Sequence, residues 1–401
     1  MTFRTQTHWP TVVLAVGAGI VASMQVGKVA AALPQIRPEL GVSLVVAGLI
    51  ASIFNANSAA LGVATGIVTD RAGHVRMITA GLILMAAGGL AGAFAADGAV
   101  LLACRFVEGL GFVATVIAAP SIIAGATATG DLRLALGLWS TYMPTGFAIM
   151  LVASAPLLSL IGWRGIWIAN GLLTLVLAAF FVAFRQRLDV HAIAGQRSWA
   201  GMRRALALPG PWLLAACFAT YTVQWFAVMA WLPTFLTEAL GYSAAAAVTI
   251  AGLVVFANAP GNMFGGWLLH RGAPRWLLMA TAQASMAIFG LGIFAAGVPD
   301  LAKIALAICF SLVAGLLPSS ALAGAPAHSP SPGEIGIVNG IIVQGSNLGV
   351  LVGPPLVAAS IAVHGDWQDA TPILLAAAIA GIAIAFGIRW VERHRLTGGA
   401  Q

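Results

Sequence analysis

Three ionisable residues lie inside apolar stretches of the chain, where a charge is costly: Lys28, Arg105 and Glu108. A charged side chain in the hydrocarbon of a membrane costs at least about 2.5–3.5 kcal/mol, so such residues are candidates for a functional site by default. Arg105 and Glu108 are three residues apart, which places them on one face of a helix, where they can pair. We therefore predict an electropositive site in which Lys28 and Arg105 bind an anionic substrate and Glu108 supplies a counter-charge.

Two other interpretations of these charges stay open on the sequence alone. Arg105 and Glu108 could form a structural ion pair that stabilises one state of a gate, and Lys28 could extend its ammonium group to the outer membrane interface. Glu108 could also carry a proton and couple transport to it, although the neighbouring Arg105 opposes this.

A second set of polar and aromatic residues lies near the middle of other apolar stretches. Such side chains can line a pocket, or they can form hydrogen bonds between helices, which are worth about 0.6 kcal/mol on average in membranes. Our candidates for substrate contacts are Asn55, Gln224, Trp225, Asn258 and Gln344.

The composition indicates the elements that must hold these residues. The chain has 401 residues, of which 60% are hydrophobic and 8% charged, whereas an ordinary soluble domain carries about 25% charged residues. Apolar stretches of about twenty residues predict membrane-spanning helices, so the fold class is all-α and integral to a membrane. The predicted spans are 10–33, 43–68, 76–96, 98–124, 133–156, 163–184, 210–236, 243–269, 274–296, 300–322, 335–361 and 369–391.

The distribution of basic residues predicts the orientation. With the N-terminus inside, fourteen of the 19 lysines and arginines fall on the inner side and three on the outer side, and the other two are Lys28 and Arg105. This positive-inside asymmetry predicts a multi-pass protein of the bacterial inner membrane with both termini in the cytoplasm. It also accounts for the net charge of +7 without a nucleic acid partner.

Internal repetition predicts two halves. Pro34, Gly41 and Ser43 recur as Pro233, Gly241 and Ser243, and Gly137 and Gly146 recur as Gly340 and Gly349 with the same spacing. We predict an N-terminal six-helix bundle over 1–184, a cytoplasmic linker over 185–209 and a C-terminal six-helix bundle over 210–401. Two such halves form a recurrent transporter plan, with the substrate site near the membrane midplane between them.

The loop after the second span resembles a signature of the major facilitator superfamily. It contains Gly66, the pair Asp70-Arg71, Gly73 and Arg76 in the family's order, with His74 and Val75 where a basic residue is usual. The resemblance implies that Gly66, Asp70, Arg71, Gly73 and Arg76 belong to an inner gate. A plain solvated turn with basic anchors is the alternative.

The fourth span is similar to another motif of the same family. It reads Arg105-Phe106-Val107-Glu108-Gly109, with Glu108 where glutamine is usual. The glycine–proline signature of drug/proton antiporters is missing from the fifth span, which has Met143-Pro144-Thr145-Gly146 instead. Within the superfamily, Lys28 with Ala32-Leu33-Pro34, and Trp139 with Pro144-Thr145-Gly146, resemble the cyanate- and nitrate-type anion transporters.

The resemblance implies a secondary transporter that moves a small organic or inorganic anion by alternating access, as a symporter or antiporter. It also implies a monomer with two pseudo-symmetric bundles, no cofactor, and protons as a candidate coupling ion. A multidrug or metabolite efflux pump is the alternative within transport, and a transporter-like membrane sensor is the alternative of another class. We do not expect an enzyme, because Glu108 is the one acidic residue in the membrane interior and the histidines are scattered.

Overall fold

The protein is described by a computed structural model that covers residues 6–128, 130–188, 199–331 and 334–396; this part of the chain forms helices and turns without a β-strand. Within these residues, twelve helical segments are long and apolar enough to cross a membrane, which confirms the predicted fold class and number of spans. We number them as spans 1 to 12: Trp9–Glu39, Leu44–Gly62, His74–Gly92, Gly98–Ala126, Tyr142–Leu160, Gly162–Ala183, Pro209–Glu238, Ala244–His270, Arg275–Phe294, Asp300–Leu322, Ile335–Val363 and Trp367–His394.

Three of the spans are interrupted helices. Span 2 begins with the helix Leu44–Ser52, continues through the 3-10 turn Ile53–Asn55 and ends within the helix Ala56–Ala72. Span 8 is divided into Ala244–Phe256 and Asn258–His270, and span 10 into Asp300–Ala314 and Leu316–Leu322. Span 11 is the continuous helix Ile335–His364, and span 12 joins the 3-10 turn Trp367–Ala370, the helix Thr371–Val391 and the π-helical turn Glu392–Leu396.

Span 5 differs from the predicted range 133–156. A separate helix, Leu132–Ser140, precedes it, and the span itself begins at Tyr142. The interruption has a local cause, because Pro144 has no amide hydrogen to donate to the carbonyl of Ser140 and its ring crowds that carbonyl. The amide of Thr141 bonds instead to the carbonyl of Leu138, three residues back, at 3.2 Å.

The turns repeat in matched pairs between the two sequence halves. Six glycines of the described residues have a positive φ, a conformation that side chains disfavour, and they pair as Gly41 with Gly241, Gly73 with Gly272, and Gly162 with Gly365. Ser43 and Ser243 both accept a hydrogen bond from the amide three residues ahead, at 3.2 and 3.3 Å, and so cap spans 2 and 8. The predicted repeat is therefore visible in the structure as glycine turns and serine caps at corresponding positions.

Contacts between Cα atoms group the chain into two compact units. Unit 1 comprises Met1–Ala194 with Leu232–Gly252, and unit 2 comprises Gly195–Trp231 with Leu253–Gln401. The predicted linker contains two short helices, Arg185–Leu188 and Trp199–Ala207, whereas residues 189–198 lie outside the described part of the chain. The division of the sequence into two bundles at this linker stays a prediction.

Glycines allow the spans of unit 1 to pack closely. A Cβ atom on Gly81 would lie 2.5 Å from the carbonyl oxygen of Gly111, so spans 3 and 4 are in backbone contact there. A Cβ atom on Gly27 would lie 2.7 Å from the carbonyl oxygen of Phe147, which brings span 5 against one side of span 1. Small residues at such crossings are typical of helices that pack in a membrane. Lys28, next to Gly27, is thereby left to face other spans.

The contact between spans 2 and 4 provides a test of this packing. A Cβ atom on Gly109 would lie 2.2 Å from the carbonyl oxygen of Phe54 and 2.8 Å from Nδ2 of Asn57. We expect Gly109→Ala to destabilise unit 1 by about 1–3 kcal/mol, because the two backbones must separate. A lower unfolding temperature of the purified protein in detergent would show this.

Gly137→Ala is the matched control. Gly137 is exposed within the helix Leu132–Ser140, and nothing lies within 4 Å of the position of its Cβ atom. This substitution should leave the protein unchanged or stabilise it by about 0.5–1 kcal/mol through helix propensity. Equal effects of the two substitutions would contradict the close contact between spans 2 and 4.

Candidate substrate and coupling site

The three intramembrane charges meet in one cluster inside unit 1. Lys28 comes from span 1, and Arg105 and Glu108 come from adjacent turns of span 4. Nζ of Lys28 donates to Oε1 of Glu108 at 2.6 Å, and Nη1 of Arg105 donates to Oε2 of the same carboxylate. We call these three residues the triad. With all three groups ionised, its formal charge is +1.

All three side chains of the triad are fully buried, with 0% of each exposed. In surroundings of low dielectric constant, ion pairing is strong but the loss of hydration is also large, so each ion needs a partner. One carboxylate shared by two cations supplies that partner to both. Glu108 is therefore the group on which the burial of Lys28 and Arg105 depends.

Each cation also lies against the face of an aromatic ring. The guanidinium carbon of Arg105 is 4.5 Å from the centre of the Phe54 ring, and Nζ of Lys28 is 4.7 Å from the centre of the Trp167 ring. Phe54 belongs to the 3-10 turn that interrupts span 2, and Trp167 belongs to span 6. Spans 1, 2, 4 and 6 thus all contribute to the surroundings of the triad.

Span 3 contributes glycines that leave room for the triad. A Cβ atom on Gly89 would lie 3.2 Å from Oε1 of Glu108 and 3.4 Å from Nζ of Lys28. A Cβ atom on Gly88 would lie 2.9 Å from Cγ of Glu108. A larger side chain at either position would push directly on the carboxylate that holds the two cations.

Several buried polar atoms near the triad make no hydrogen bond to the described residues. Nε of Arg105 donates to the carbonyl of Ile50 at 3.3 Å, but its Nη2 has no partner. The side-chain atoms Nδ2 and Oδ1 of Asn55, which follows Phe54 in the same turn, also have no hydrogen-bond partner. The same holds for Nε1 of Trp167. Buried polar groups are normally satisfied, so Nη2 of Arg105 is a donor that remains available to a bound anion.

The predicted contacts in the second sequence half lie in unit 2 and form two separate groups. Nε1 of Trp225 donates to Oγ of Ser311 at 3.2 Å, and Nδ2 of Asn258 donates to the Ser311 carbonyl at 3.0 Å, which brings these two candidates together. Gln224 instead donates to Oε1 of Gln283 in span 9. Gln344 is half-buried in span 11.

The predicted gating residues lie at the junction of spans 2 and 3. The helix of span 2 ends at Ala72, Gly73 has a φ of 93°, and the next helix begins at His74. Arg71 and Arg76 are exposed on either side of this turn. Gly66 and Asp70 lie in helical backbone, but their side-chain surroundings are outside the described part of the structure. Their gating role stays a prediction.

Sequence reasoning missed three residues around the triad. Phe54 and Trp167 carry no polar signal at their positions in spans 2 and 6. Gln25 could have been found from the sequence, because it is a polar residue three positions before Lys28 and therefore lies on the same face of span 1. It is fully buried, and its Nε2 donates to Oγ1 of Thr174 in span 6 at 3.2 Å.

Twelve apolar spans in the described part of the chain, with a buried charge cluster inside unit 1, are typical of a polytopic membrane transporter. Residues 15–354 match the sequence profile of the Major Facilitator Superfamily, and the chain belongs to that family. The family and the relatives described next are transporters rather than enzymes.

Two relatives illustrate what this chain is similar to. One is a probable sulfoacetate transporter, SauU, of Cupriavidus necator, which is 24% identical over 282 residues, covering 66% of this chain and 65% of the relative. The other is a gallate transporter of Pseudomonas putida, 26% identical over 293 residues, covering 65% of each chain. The match thus spans somewhat less than two thirds of the length of either relative.

Solved structures share the fold over nearly the whole chain. The crystal structure of a bacterial homolog of the human lysosomal transporter Spinster, in an inward-facing and occupied conformation, has a TM-score of 0.78 and 14% identity and covers 98% of both chains. The unoccupied form of the same homolog gives a TM-score of 0.78 with 15% identity, covering 97% of this chain and 98% of the other. At this identity the likeness establishes the fold alone.

The triad predicts a large cost for losing its carboxylate. Glu108→Gln leaves two buried cations without a counter-charge, and the removal of one partner from a buried ion pair costs about 3–5 kcal/mol. We expect a marked fall in the unfolding temperature of the purified protein.

A matched substitution, Glu238→Gln, separates this effect from the loss of any ion pair. Glu238 accepts from Nη1 of Arg37 at 2.6 Å, but 46% of its side chain is exposed, so its loss should cost at most about 1 kcal/mol. A small effect of both substitutions would contradict the dependence of the cluster on Glu108.

Proposed function

We propose that the protein is a secondary transporter of small organic anions that carry a carboxylate, and that the triad of Lys28, Arg105 and Glu108 binds the anion. One observation carries the proposal: two fully buried cations share a single carboxylate, and Nη2 of Arg105 remains without a partner. Because the formal charge of the ionised triad is +1, one further negative charge next to the unpaired donor would make the cluster neutral.

The charge balance favours a monoanion. The formal charge of the ionised triad is +1, so a single carboxylate brought next to Arg105 would make the cluster neutral. In a medium of low dielectric constant a neutral cluster is much less costly than a charged one. Arginine suits this role because its planar fork matches a carboxylate and it stays charged when buried.

The relatives support a substrate that carries a carboxylate rather than a particular charge, because sulfoacetate is a dianion at neutral pH and gallate is a monoanion. Sulfoacetate and gallate, the compounds in their names, differ in size and shape but both carry a carboxylate. A carboxylate is therefore the chemical group that we expect the triad to recognise. The rest of the substrate would be selected by other residues, for which Asn55, Gln224, Trp225, Asn258 and Gln344 are our candidates.

Burial of the triad implies that the anion enters only after a conformational change. With none of the three side chains exposed, the spans packed around them must separate before a ligand can reach Nη2 of Arg105. Alternating access supplies such a change, and the turn at Gly73 with the neighbouring Asp70, Arg71 and Arg76 is our candidate for its inner gate. Whether uptake or export results depends on the gradients.

We further propose a monomer in the bacterial inner membrane with both termini in the cytoplasm, as the positive-inside asymmetry favours. Glu108 is the candidate coupling group, because it is the acidic side chain of the triad. A proton on Glu108 would raise the charge of the triad to +2. A dianion could then bind without leaving net charge in the cluster.

A binding screen tests the substrate class. Purified protein is heated with small organic and inorganic monoanions, and with lipophilic cations as the competing class of ligand. A ligand at one hundred times its dissociation constant stabilises by about 2.7 kcal/mol, so we expect a clear rise in unfolding temperature with a carboxylate. Lys28→Ala and Arg105→Ala should abolish this rise.

Arg271→Ala serves as the control for this screen. Arg271 is an exposed cation of unit 2 that lies 4.8 Å from the centre of the Trp267 ring, so its removal changes the net charge equally but leaves the triad intact. The variant should keep the anion effect. Stabilisation by lipophilic cations but by no anion would overturn the proposal in favour of an efflux pump.

The charge balance predicts a change of selectivity in Glu108→Gln. Without the carboxylate the cluster carries +2, so the variant should prefer dianions over monoanions, opposite to the wild type. We expect a dianion to restore most of the lost thermal stability and a monoanion to restore less. Competition between acetate and malonate, measured by titration calorimetry, would reveal the reversal, and an unchanged preference would contradict the charge balance.

A further inference from the structure

Both cations of the triad are held from two sides. On one side each donates to Glu108, and on the other each lies over an aromatic ring, with Lys28 over Trp167 at 4.7 Å and Arg105 over Phe54 at 4.5 Å. The negative potential of a ring face attracts a cation, and the attraction is strongest where water is excluded. The rings are thus partners that do not depend on Glu108.

The backbone fixes the Phe54 ring in place. Phe54 lies in the 3-10 turn of span 2, and its carbonyl is pressed against Gly109 of span 4, where a Cβ atom would lie 2.2 Å away. The ring centre is also 4.7 Å from that of Phe112, one turn after Glu108. Span 4 therefore carries both Arg105 and the contacts that hold the ring beneath it.

Spans 3 and 6 fix the Trp167 ring in a similar way. A Cβ atom on Gly92 would lie 3.1 Å from Cδ1 and from Nε1 of Trp167, so span 3 is tight against the edge of the indole. Trp163, one turn earlier in span 6, meets the ring edge-on, with centres 5.4 Å apart and planes at 88°. Both rings are fully buried, with 0% of Phe54 and of Trp167 exposed.

We propose that Phe54 and Trp167 are positioning residues that keep Arg105 and Lys28 charged and in place when Glu108 turns to another partner. This inference rests on the proposed function, because a change of partner at Glu108 matters only if an anion or a proton arrives there. Without the rings, two like charges would be left unsupported in a dry cluster. With them, the cations stay where the anion needs them.

Double-mutant cycles on thermal stability test this role without any ligand. Trp167→Leu and Phe54→Leu are each combined with Glu108→Gln, in which the rings are the remaining partners of the cations. We expect each leucine to lower the unfolding temperature by about 2–8 °C more in Glu108→Gln than in the wild type. Trp167→Phe and Phe54→Tyr, which keep a ring face, should show a much smaller excess.

Phe181→Leu is the matched control, since Phe181 is a fully buried ring of span 6 with no described cation over its face. Its effect should be the same in both backgrounds. If Glu108→Gln does not fold, the cycle is run with Lys28→Met and Trp167→Leu, and the cost of the leucine should shrink once the cation is gone. Additive effects in the available cycle would overturn the inference and leave the rings as plain packing.

Anion binding then separates the two proposals. For a carboxylate that stabilises the wild type, we expect Trp167→Leu and Phe54→Leu to weaken affinity by about three- to tenfold, and Trp167→Phe and Phe54→Tyr to restore it. If the leucine variants bind as tightly as the wild type while Lys28→Ala and Arg105→Ala do not bind, the positioning role is wrong and the anion site stands. If the wild type binds no anion, the proposed function fails and the inference fails with it.

Discussion

The burial of three charges inside a helical bundle is the constraint around which unit 1 is arranged. Lys28, Arg105 and Glu108 are fully buried, so each of these ions needs a partner within the bundle. Glycines of span 3 make room for the carboxylate, the 3-10 turn of span 2 places a ring beneath Arg105, and span 6 places another against Lys28. Apolar residues in place of a buried ion cluster often give an equally stable protein. A purely structural role is therefore a weak explanation for these three charges.

The two sequence halves repeat their turns but differ in their charges. Aligned on Pro34 and Pro233, Gln25 corresponds to Gln224, and both are buried glutamines that bond to another span of their own unit. In the same register Lys28 corresponds to Ala227. The neutral polar contact is thus repeated in the two sequence halves, whereas the lysine is present in the first half alone at this position. In the proposed mechanism, unit 1 binds the carboxylate.

The spans and the Arg105–Glu108 pair could be predicted from the sequence. The contacts between distant parts of the chain could not, because they depend on how the helices pack. Hydropathy determines the spans, and a spacing of three residues on one helix is enough to pair Arg105 with Glu108. The contact of Lys28 with Glu108 joins residues 80 positions apart and follows only from the packing of spans 1 and 4. Phe54 was missed because a local 3-10 turn, rather than periodicity, decides where its ring lies, and the start of span 5 was misplaced because Pro144 ends the hydrogen-bonding pattern of the preceding helix.

In the proposed mechanism, the bound anion leaves the cluster with no net charge. Titration calorimetry in two buffers of different ionisation enthalpy measures the protons taken up as an anion binds. For the wild type we predict no proton with a monoanion such as acetate and about one with a dianion such as malonate, and no uptake with malonate in Glu108→Gln. A proton taken up with the monoanion, or a dianion bound without one, would contradict the account.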